Sequence, residues 1–320
     1  MSTQALIKVE QLTRFYGHQR AVDDLSFEVR RGEVLGFLGP NGAGKSTTMR
    51  MITGNLAPHH GRIIINGIDI LDQPKAAKAE IGYLPEQPPL YRELTVDEYL
   101  RFCARLNRIV RTKQARAVES AKDRCGLGDV GGRLIANLSK GYQQRVGIAQ
   151  AIIHSPAVVV LDEPTVGLDP IQIREIRHLI RELGGEHSVI LSTHILPEVQ
   201  ATCDHVQIIH KGKLVLNDSI EGLAQHMQTS SLFVRLGNTA SHDSIITITG
   251  VSEVESLENG CLRSHHDPET SPAAAIAQTA VTQGWGLLEL TPEKRSLEEI
   301  FVDITTSETD ANAETEITVA

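Results

Sequence analysis

The chain has 320 residues, 41% of them hydrophobic and 22% charged, with a formal net charge of −9. That length and apolar content suit one large domain and a smaller one, with a sizeable core. The acidic balance argues against a nucleic-acid-binding surface spread over the whole chain, but not against a local phosphate site built from backbone N–H groups and one or two lysines.

In chain order, the N-terminus MSTQALIKVEQ lacks the basic and apolar regions of a signal peptide. ALIKVEQLTRFY and AVDDLSFEVRRGE read as strands, the second with Leu25, Phe27 and Val29 alternating with polar residues. GEVLGFLG is a short apolar run that reads as a buried strand feeding the loop GPNGAGKST (39–47), and the helix after it stops at Gly54. RIIINGIDI reads as a hairpin turning at Asn66-Gly67. Thr95 and Glu98 make a capping box ahead of the helical segments VDEYLRFCARLN and QARAVESAKDRC, so 90–137 reads as a helical insertion. In LSKGYQQR (138–145), Ser139 and Gly141 stand before the apolar helix VGIAQAII, the chemistry of a helix start that can hold an anion.

AVVVLDE (157–163) is a continuous apolar run of strand length, the signature of a fully buried parallel strand. Asp169-Pro170 starts a helix with Ile173, Ile176, Leu179, Ile180 and Leu183 on one face. SVILSTH (188–194) is another buried strand, and HVQIIHKGKLVLND is a hairpin turning near Lys211-Gly212. Beyond residue 222, the strand SLFVRLG, a hairpin around Asn259-Gly260, the helix PAAAIAQTAVTQ, the strand GWGLLEL and the helix SLEEIFVDIT suggest a small α+β unit over 223–306. The tail 307–320 holds acids, Thr and Ala but no Lys or Arg, the composition of a disordered segment. No apolar run approaches the roughly 18 residues of a membrane span. Cys103, Cys125, Cys203 and Cys261 are scattered and read as reduced, buried thiols of a cytosolic protein.

Residues 39–46 match GxxxxGK[ST] in full. In the loop Gly39, Asn41, Gly42, Gly44 and Thr47, the glycines let backbone N–H groups turn inward on a polyphosphate. Lys45 then reaches the β- and γ-phosphates and Ser46 offers its hydroxyl to Mg²⁺. Such a loop permits a kinase, a GTPase or a mechanical ATPase; no NKxD-like stretch of a guanine reader is present. Asp162 and Glu163 end the strand AVVVL, and a carboxyl strand end in a parallel sheet opens into the ligand crevice. There Asp162 could hold Mg²⁺ through its water shell and Glu163 could polarise an attacking water; as a lone pair they read as a helix cap or turn. The pairs His59-His60, a loop, and His265-His266, on a strand, lack the remaining ligands of a metal site.

The ordered set GPNGAGKST, Gln87 in YLPEQPP, LSKGYQQR, VVVLDEPTVGLDP and STH resembles the nucleotide-binding subunit of an ATP-binding-cassette (ABC) transporter, over roughly residues 5–220. The resemblance implies an α/β P-loop nucleotide-binding domain over 1–222, with an antiparallel β subdomain, a mixed α/β core and a helical subdomain, followed by the small α+β domain. It implies that Tyr16 stacks on adenine, that Gln87 touches Mg²⁺ and couples to a membrane partner, and that Asp169 communicates across a dimer. It makes His194 a switch histidine at the γ-phosphate, acting with Lys45 and Glu163. It also makes Ser139 and Gly141 contacts to ATP held by Lys45 of a second copy packed head to tail. LSKGY departs from the family's commonest LSGGQ at Lys140 and Tyr142 and resembles the variant in ABC-2-type exporters; which of Tyr142, Gln143 and Gln144 meets nucleotide stays open.

The function so implied is ATP hydrolysis, with ATP and Mg²⁺, that powers export through a separate integral-membrane permease. The chain would lie at the cytoplasmic face of the cell membrane, with no nucleic-acid partner. The alternative is a soluble ABC ATPase acting on ribosomes or DNA, although the chain has one cassette and no sustained heptad between Ser46 and Ser139.

Overall fold

β1 (Ala5–Tyr16) and β2 (Gln19–Arg30) pair antiparallel, turning through the left-handed Gly17. In β2 the side chains of Leu25, Phe27 and Val29 are buried and those between them exposed, as the period-two pattern predicts. The computed structural model from which these elements are taken describes residues 5–226, 228–237, 242–257, 261–267 and 270–294. Asn259-Gly260, SLEEIFVDIT and the tail 307–320 lie outside them.

β3 (Val34–Leu38) is buried at every position and leads into α1 (Lys45–Ile52). After Thr53, Gly54 adopts a left-handed conformation; its N–H bonds to Met51 O at 3.0 Å and that of Asn55 to Arg50 O at 2.8 Å, the paired bonds of a Schellman stop. β4 (His60–Ile65) and β5 (Ile68–Asp69) form the expected hairpin. Asn66 and Gly67 have φ of 48° and 80°, the signs a two-residue type I′ turn requires. His60 opens β4 opposite Thr13 rather than lying in a loop, because β1 supplies a ladder partner that the local sequence does not reveal. The first sheet has the order β2-β1-β4-β5 and is antiparallel throughout.

α2 (Pro74–Ala79) and β6 (Ile81–Leu84) follow, both missed by the sequence reading. α3 (Val96–Leu106) opens with the expected capping box: Thr95 Oγ1 accepts from Glu98 N and Glu98 accepts from Thr95 N. α4 (Arg111–Arg124) packs beside it, and α5 (Lys140–Ile152) begins at Ser139. β7 (Val158–Asp162) and β8 (Ser188–Thr193) are buried at every position, as expected of strands covered on both faces, including the polar Asp162, Ser188, Ser192 and Thr193 at their ends. Between them α6 (Pro170–Gly184) turns Ile176, Leu179, Ile180 and Leu183 inward. α7 (Leu196–Thr202) leads to β9 (His205–His210), which pairs antiparallel with β10 (Lys213–Ser219). The second sheet runs β10-β9-β3-β8-β7-β6, parallel except for β10.

One core fuses the two sheets. Leu12, Phe27 and Ile63 of the first meet Phe37, Val160 and Ile190 of the second across Met49 and Met51 of α1. Each such fully buried side chain contributes about 1.5–3 kcal/mol by removal from water. This sandwich holds α1 and the carboxyl ends of β3, β7 and β8 rigid. Among the described residues no helix is long and apolar enough to cross a membrane.

The chain divides into two compact units between Ile220 and Glu221, with α8 (Ile220–His226) at the division. The second unit is an antiparallel sheet of order β12-β13-β11-β14. It is built from β11 (Gln228–Leu236), α9 (His242–Ile246), β12 (Val251–Ser256), β13 (Cys261–His266), α10 (Ala273–Thr282) and β14 (Leu287–Lys294). Its own small core contains Leu232, Val234, Ile245 and Ile276. β14 starts three residues later than the run GWGLLEL suggests, because Gly284 and Gly286 both take positive φ.

Candidate functional site

The loop between β3 and α1 is shaped by contacts that leave no room for side chains. At Gly44, φ is 111°, and a Cβ there would lie 2.4 Å from the carbonyl oxygen of Ala21. α1 starts with neither a capping side chain nor an acidic residue in its first turn, so its free N–H groups and positive end stay open. They face a cavity of about 380 Å³ lined by Tyr16, Asn41, Gly42, Gly44, Lys45, Ser46, Thr47, Glu163 and His194. Nine of the residues singled out in the sequence therefore converge on one cleft. Gln19, Ala21, Glu86 and Val166 line it too; Glu86 and Val166 lie within the stretches YLPEQPP and VVVLDEPTVGLDP, where the sequence reading does not single them out, and Gln19 and Ala21 belong to no motif.

Inside the cleft the charged groups hold one another. Lys45 is buried, and its Nζ donates to Gly39 O at 2.8 Å and to Pro40 O at 3.3 Å, and sits 3.4 Å from Glu163 Oε1. Gly39 thus touches the site through the lysine it holds rather than as part of the cavity wall. Glu163 has φ of 50°, the left-handed region, which costs a non-glycine residue about 1–2 kcal/mol. Its N–H donates to Ser192 O at 2.8 Å, which pins the turn to the end of β8. His194 Nδ1 lies 3.0 Å from Glu163 Oε2, so the histidine and the carboxylate form a pair across two strand ends. Tyr16 is half-exposed, and the Arg14 guanidinium lies 5.4 Å from its ring centroid, leaving the ring against the cavity.

Asp162 is buried at the end of β7. Burial pushes its carboxyl up from the ordinary range, opposed by the neighbouring hydroxyls of Ser192 and Ser46. Its Oδ1 has no hydrogen-bond partner. An orphaned carboxylate oxygen beside the Ser46 hydroxyl fits a Mg²⁺ that keeps water and phosphate ligands. Among the described residues no group of three or more His, Cys, Asp or Glu makes an all-protein cage, which Mg²⁺ seldom uses.

The remaining sequence-selected residues lie elsewhere. Gln87 lines a neighbouring cavity of about 640 Å³, with Lys140, Gln143 and Gln144; Glu86 and Val166 border both cavities. Asp169 caps α6 by accepting from Ile171 N and Gln172 N, both at 2.9 Å. Ser139 caps α5 by accepting from Tyr142 N at 3.4 Å. Gly141 packs against the Gln172 side chain, which a Cβ would meet at 2.6 Å. Neither Ser139 nor Gly141 lines the cleft of its own phosphate loop. Of the three residues left open, Gln143 donates to Ile135 O and Leu138 O, Gln144 is buried, and Tyr142 is exposed beside Arg145.

These features have close counterparts. The sequence profile of the family described as ABC transporter matches residues 22–166. The chain is 34% identical over 309 residues to the bacitracin transport ATP-binding protein BcrA of Bacillus licheniformis, covering 95% of this chain and 98% of that protein. Among solved structures, an ATP-binding subunit of an ABC transporter matches with TM-score 0.63 and 33% identity, over 69% of this chain and 92% of that one. A cbiO1 subunit from Clostridium perfringens, part of the ABC transporter complex cbiONQ, matches with TM-score 0.63 and 30% identity, over 68% and 90%.

Proposed function

The chain belongs to the ABC transporter family as an ATP-binding subunit that hydrolyses ATP to drive transport, and from that premise we infer that it powers an ABC-2-type exporter through a separate membrane-spanning permease. The observation that supports the export reading is the reach of the similarity to BcrA. It covers 95% of the chain, well past Ile220 and so through the second unit, and BcrA is named for bacitracin transport. The same likeness favours transport over a soluble cassette acting on ribosomes or DNA. The permease would choose the cargo, and this chain would sit against it at the cytoplasmic face of the membrane. The division of labour follows: an ATPase domain over 1–222, with 90–137 as its helical part, and an accessory domain over 223–306.

In this reading the triphosphate of ATP lies along the N–H groups of residues 42–47 and the adenine stacks on the cavity face of Tyr16. Lys45 exchanges Gly39 O and Glu163 for the β- and γ-phosphate oxygens. Glu163, relieved of the ammonium, accepts the proton of the attacking water, and His194 holds its carboxylate in place on the γ-phosphate side. Ser46 and Asp162, with Gln87 from the adjoining cavity, would hold Mg²⁺, which would supply positive charge to the phosphate oxygens. The second half of each site comes from another copy or a similar cassette, whose Ser139 and Gly141 present the start of α5 to the γ-phosphate. Of the three residues that follow, the exposure of Tyr142 supports it as the one that meets the nucleotide. Asp169 lies at the edge of that interface.

Two variants of the full chain test this. Glu163→Gln is expected to bind ATP, hydrolyse it slowly and elute as an ATP-stabilised dimer on size exclusion. Ser139→Arg in that background should keep ATP binding and return the protein to monomer. Wild-type turnover by Glu163→Gln would overturn the assignment of the base, and lost ATP binding by a monomeric Ser139→Arg would place Ser139 in its own chain's pocket.

A further inference from the structure

Glu198, in the first turn of α7, is a carboxylate with only 1% of its surface exposed, and the site described above makes no use of it. Its two oxygens are each taken by a hydroxyl from a different strand end. Oε1 accepts from Thr165 Oγ1, and Oε2 accepts from Thr193 Oγ1 at 2.9 Å. Thr165 stands two residues after Glu163, and Thr193 directly precedes His194. Both threonines are buried, so these hydrogen bonds are not traded against water. The nearest cation, Arg177 Nη2, lies 4.0 Å away, so the two hydroxyls are its close partners. Thr193 Oγ1 also accepts from Ile195 N at 3.2 Å, which continues the lattice across the turn that carries His194.

We propose that Glu198 is a positioning residue for ATP hydrolysis: a buried carboxylate that ties the turn after β7 to the turn after β8 and so fixes the Glu163–His194 pair. The proposal rests on the reading of Glu163 as the base. Glu163 sits at φ of 50°, a conformation that persists only when its surroundings over-determine it. One restraint is its N–H to Ser192 O. The Glu198 clamp is the second, and it acts on the chain just downstream of Glu163 and just upstream of His194, so that it sets the separation of the two turns. Hydrolysis depends on that separation, because a base misplaced by about 1 Å loses on the order of a hundredfold in rate. Binding of the triphosphate depends on the loop before α1, which the clamp does not touch.

The test uses the full chain carrying Thr165→Val or Thr193→Val, which remove a hydroxyl at nearly constant volume, with Thr165→Ser, Thr193→Ser and Glu198→Gln alongside. Turnover, KM for Mg·ATP, affinity for a fluorescent ATP analogue and the thermal midpoint are measured in the wild-type and Glu163→Gln backgrounds. The expected result is a kcat lower by about tenfold or more in each valine variant, with KM and analogue affinity within about twofold. The serine variants should recover most of the rate, and the valines should cause no further loss in the Glu163→Gln background, since groups acting as one unit are not additive. Unchanged kcat in folded valine variants overturns the proposal. So does a loss that tracks the thermal midpoint in valine and serine variants alike, or a full additional loss on top of Glu163→Gln. If Glu163→Gln itself turns over like wild type, the base reading fails; if it is slow while the valine variants are normal, the clamp alone fails.

Discussion

The contact between Lys45 and Glu163 makes a quantitative prediction about the protein without nucleotide. Lys45→Met keeps most of the apolar stem but removes the ammonium, leaving Gly39 O without its donor and Glu163 with only His194. At 3.4 Å the attraction amounts to about 5 kcal/mol at an effective dielectric near 20, before the desolvation of both ions is subtracted. Breaking a buried pair by deleting one partner costs about 3–5 kcal/mol, because the other charge stays stranded. Here the cleft is open and His194 remains, so the loss should be about 2–3 kcal/mol. For a unit of this size that lowers the thermal midpoint by roughly 5–10 °C. Adding Glu163→Gln removes the stranded charge, so the double variant should recover part of the loss, with a coupling of about 1–2 kcal/mol. Differential scanning calorimetry of the four proteins, free of nucleotide and Mg²⁺, measures the cycle. A Lys45→Met midpoint within 1 °C of wild type, on the order of its measurement error, or strictly additive losses, would refute the idea that these two charges hold each other.

Three further outcomes are expected. The carboxyl of Asp162 titrates above its unfolded value near 3.9, so the folded chain binds the extra proton, and between those two pKa values stability falls as pH rises. Asp162→Asn should therefore raise the midpoint at pH 7 without Mg²⁺, with a gain that shrinks as the pH is lowered towards 4; a gain independent of pH counts against it. Gly82→Ala sets a Cβ 2.1 Å from Ala151 O in the backbone of α5, where nothing can swing aside, and should cost about 3 kcal/mol in urea unfolding. Thr95→Ala deletes the hydroxyl half of the capping box and should lower stability by about 1 kcal/mol while ATP affinity stays unchanged, both readable from thermal shifts with and without nucleotide.

The parts of this fold that the sequence discloses are those governed by local rules. β3 and β7 declare themselves as apolar runs, and β8 by its apolar centre of Val189, Ile190 and Leu191, because both faces of a central parallel strand are covered. The capping box at Thr95 and the turn at Asn66-Gly67 need only neighbours a few residues away. β6 escapes notice because IGYL has four residues and a glycine, and becomes a strand only by pairing with β7. The site divides along the same line. The loop residues from Asn41 to Thr47 belong to one continuous motif, and their convergence follows from it. That Lys45 rests on Gly39 and Glu163, or that Glu198 reaches two threonines from different strand ends, depends on how distant segments meet. No periodicity or spacing encodes such meetings.

The order β3-β8-β7 in the central sheet has a consequence for how this protein can change. Leu38 pairs with Thr193, and Asp162 with Ser192, so the segments bearing Lys45, His194 and Glu163 leave one ladder in fixed register. Neighbouring rungs stand about 4.8 Å apart whatever the side chains are. The spacing of the reacting groups is thus a ruler cut into the main chain, which no single surface substitution can stretch. Change that leaves these groups in place is then open to the surface off this ladder and to the second unit, whose sheet is separate from it. One unaltered engine could be fitted to different machines by rewriting only its fittings.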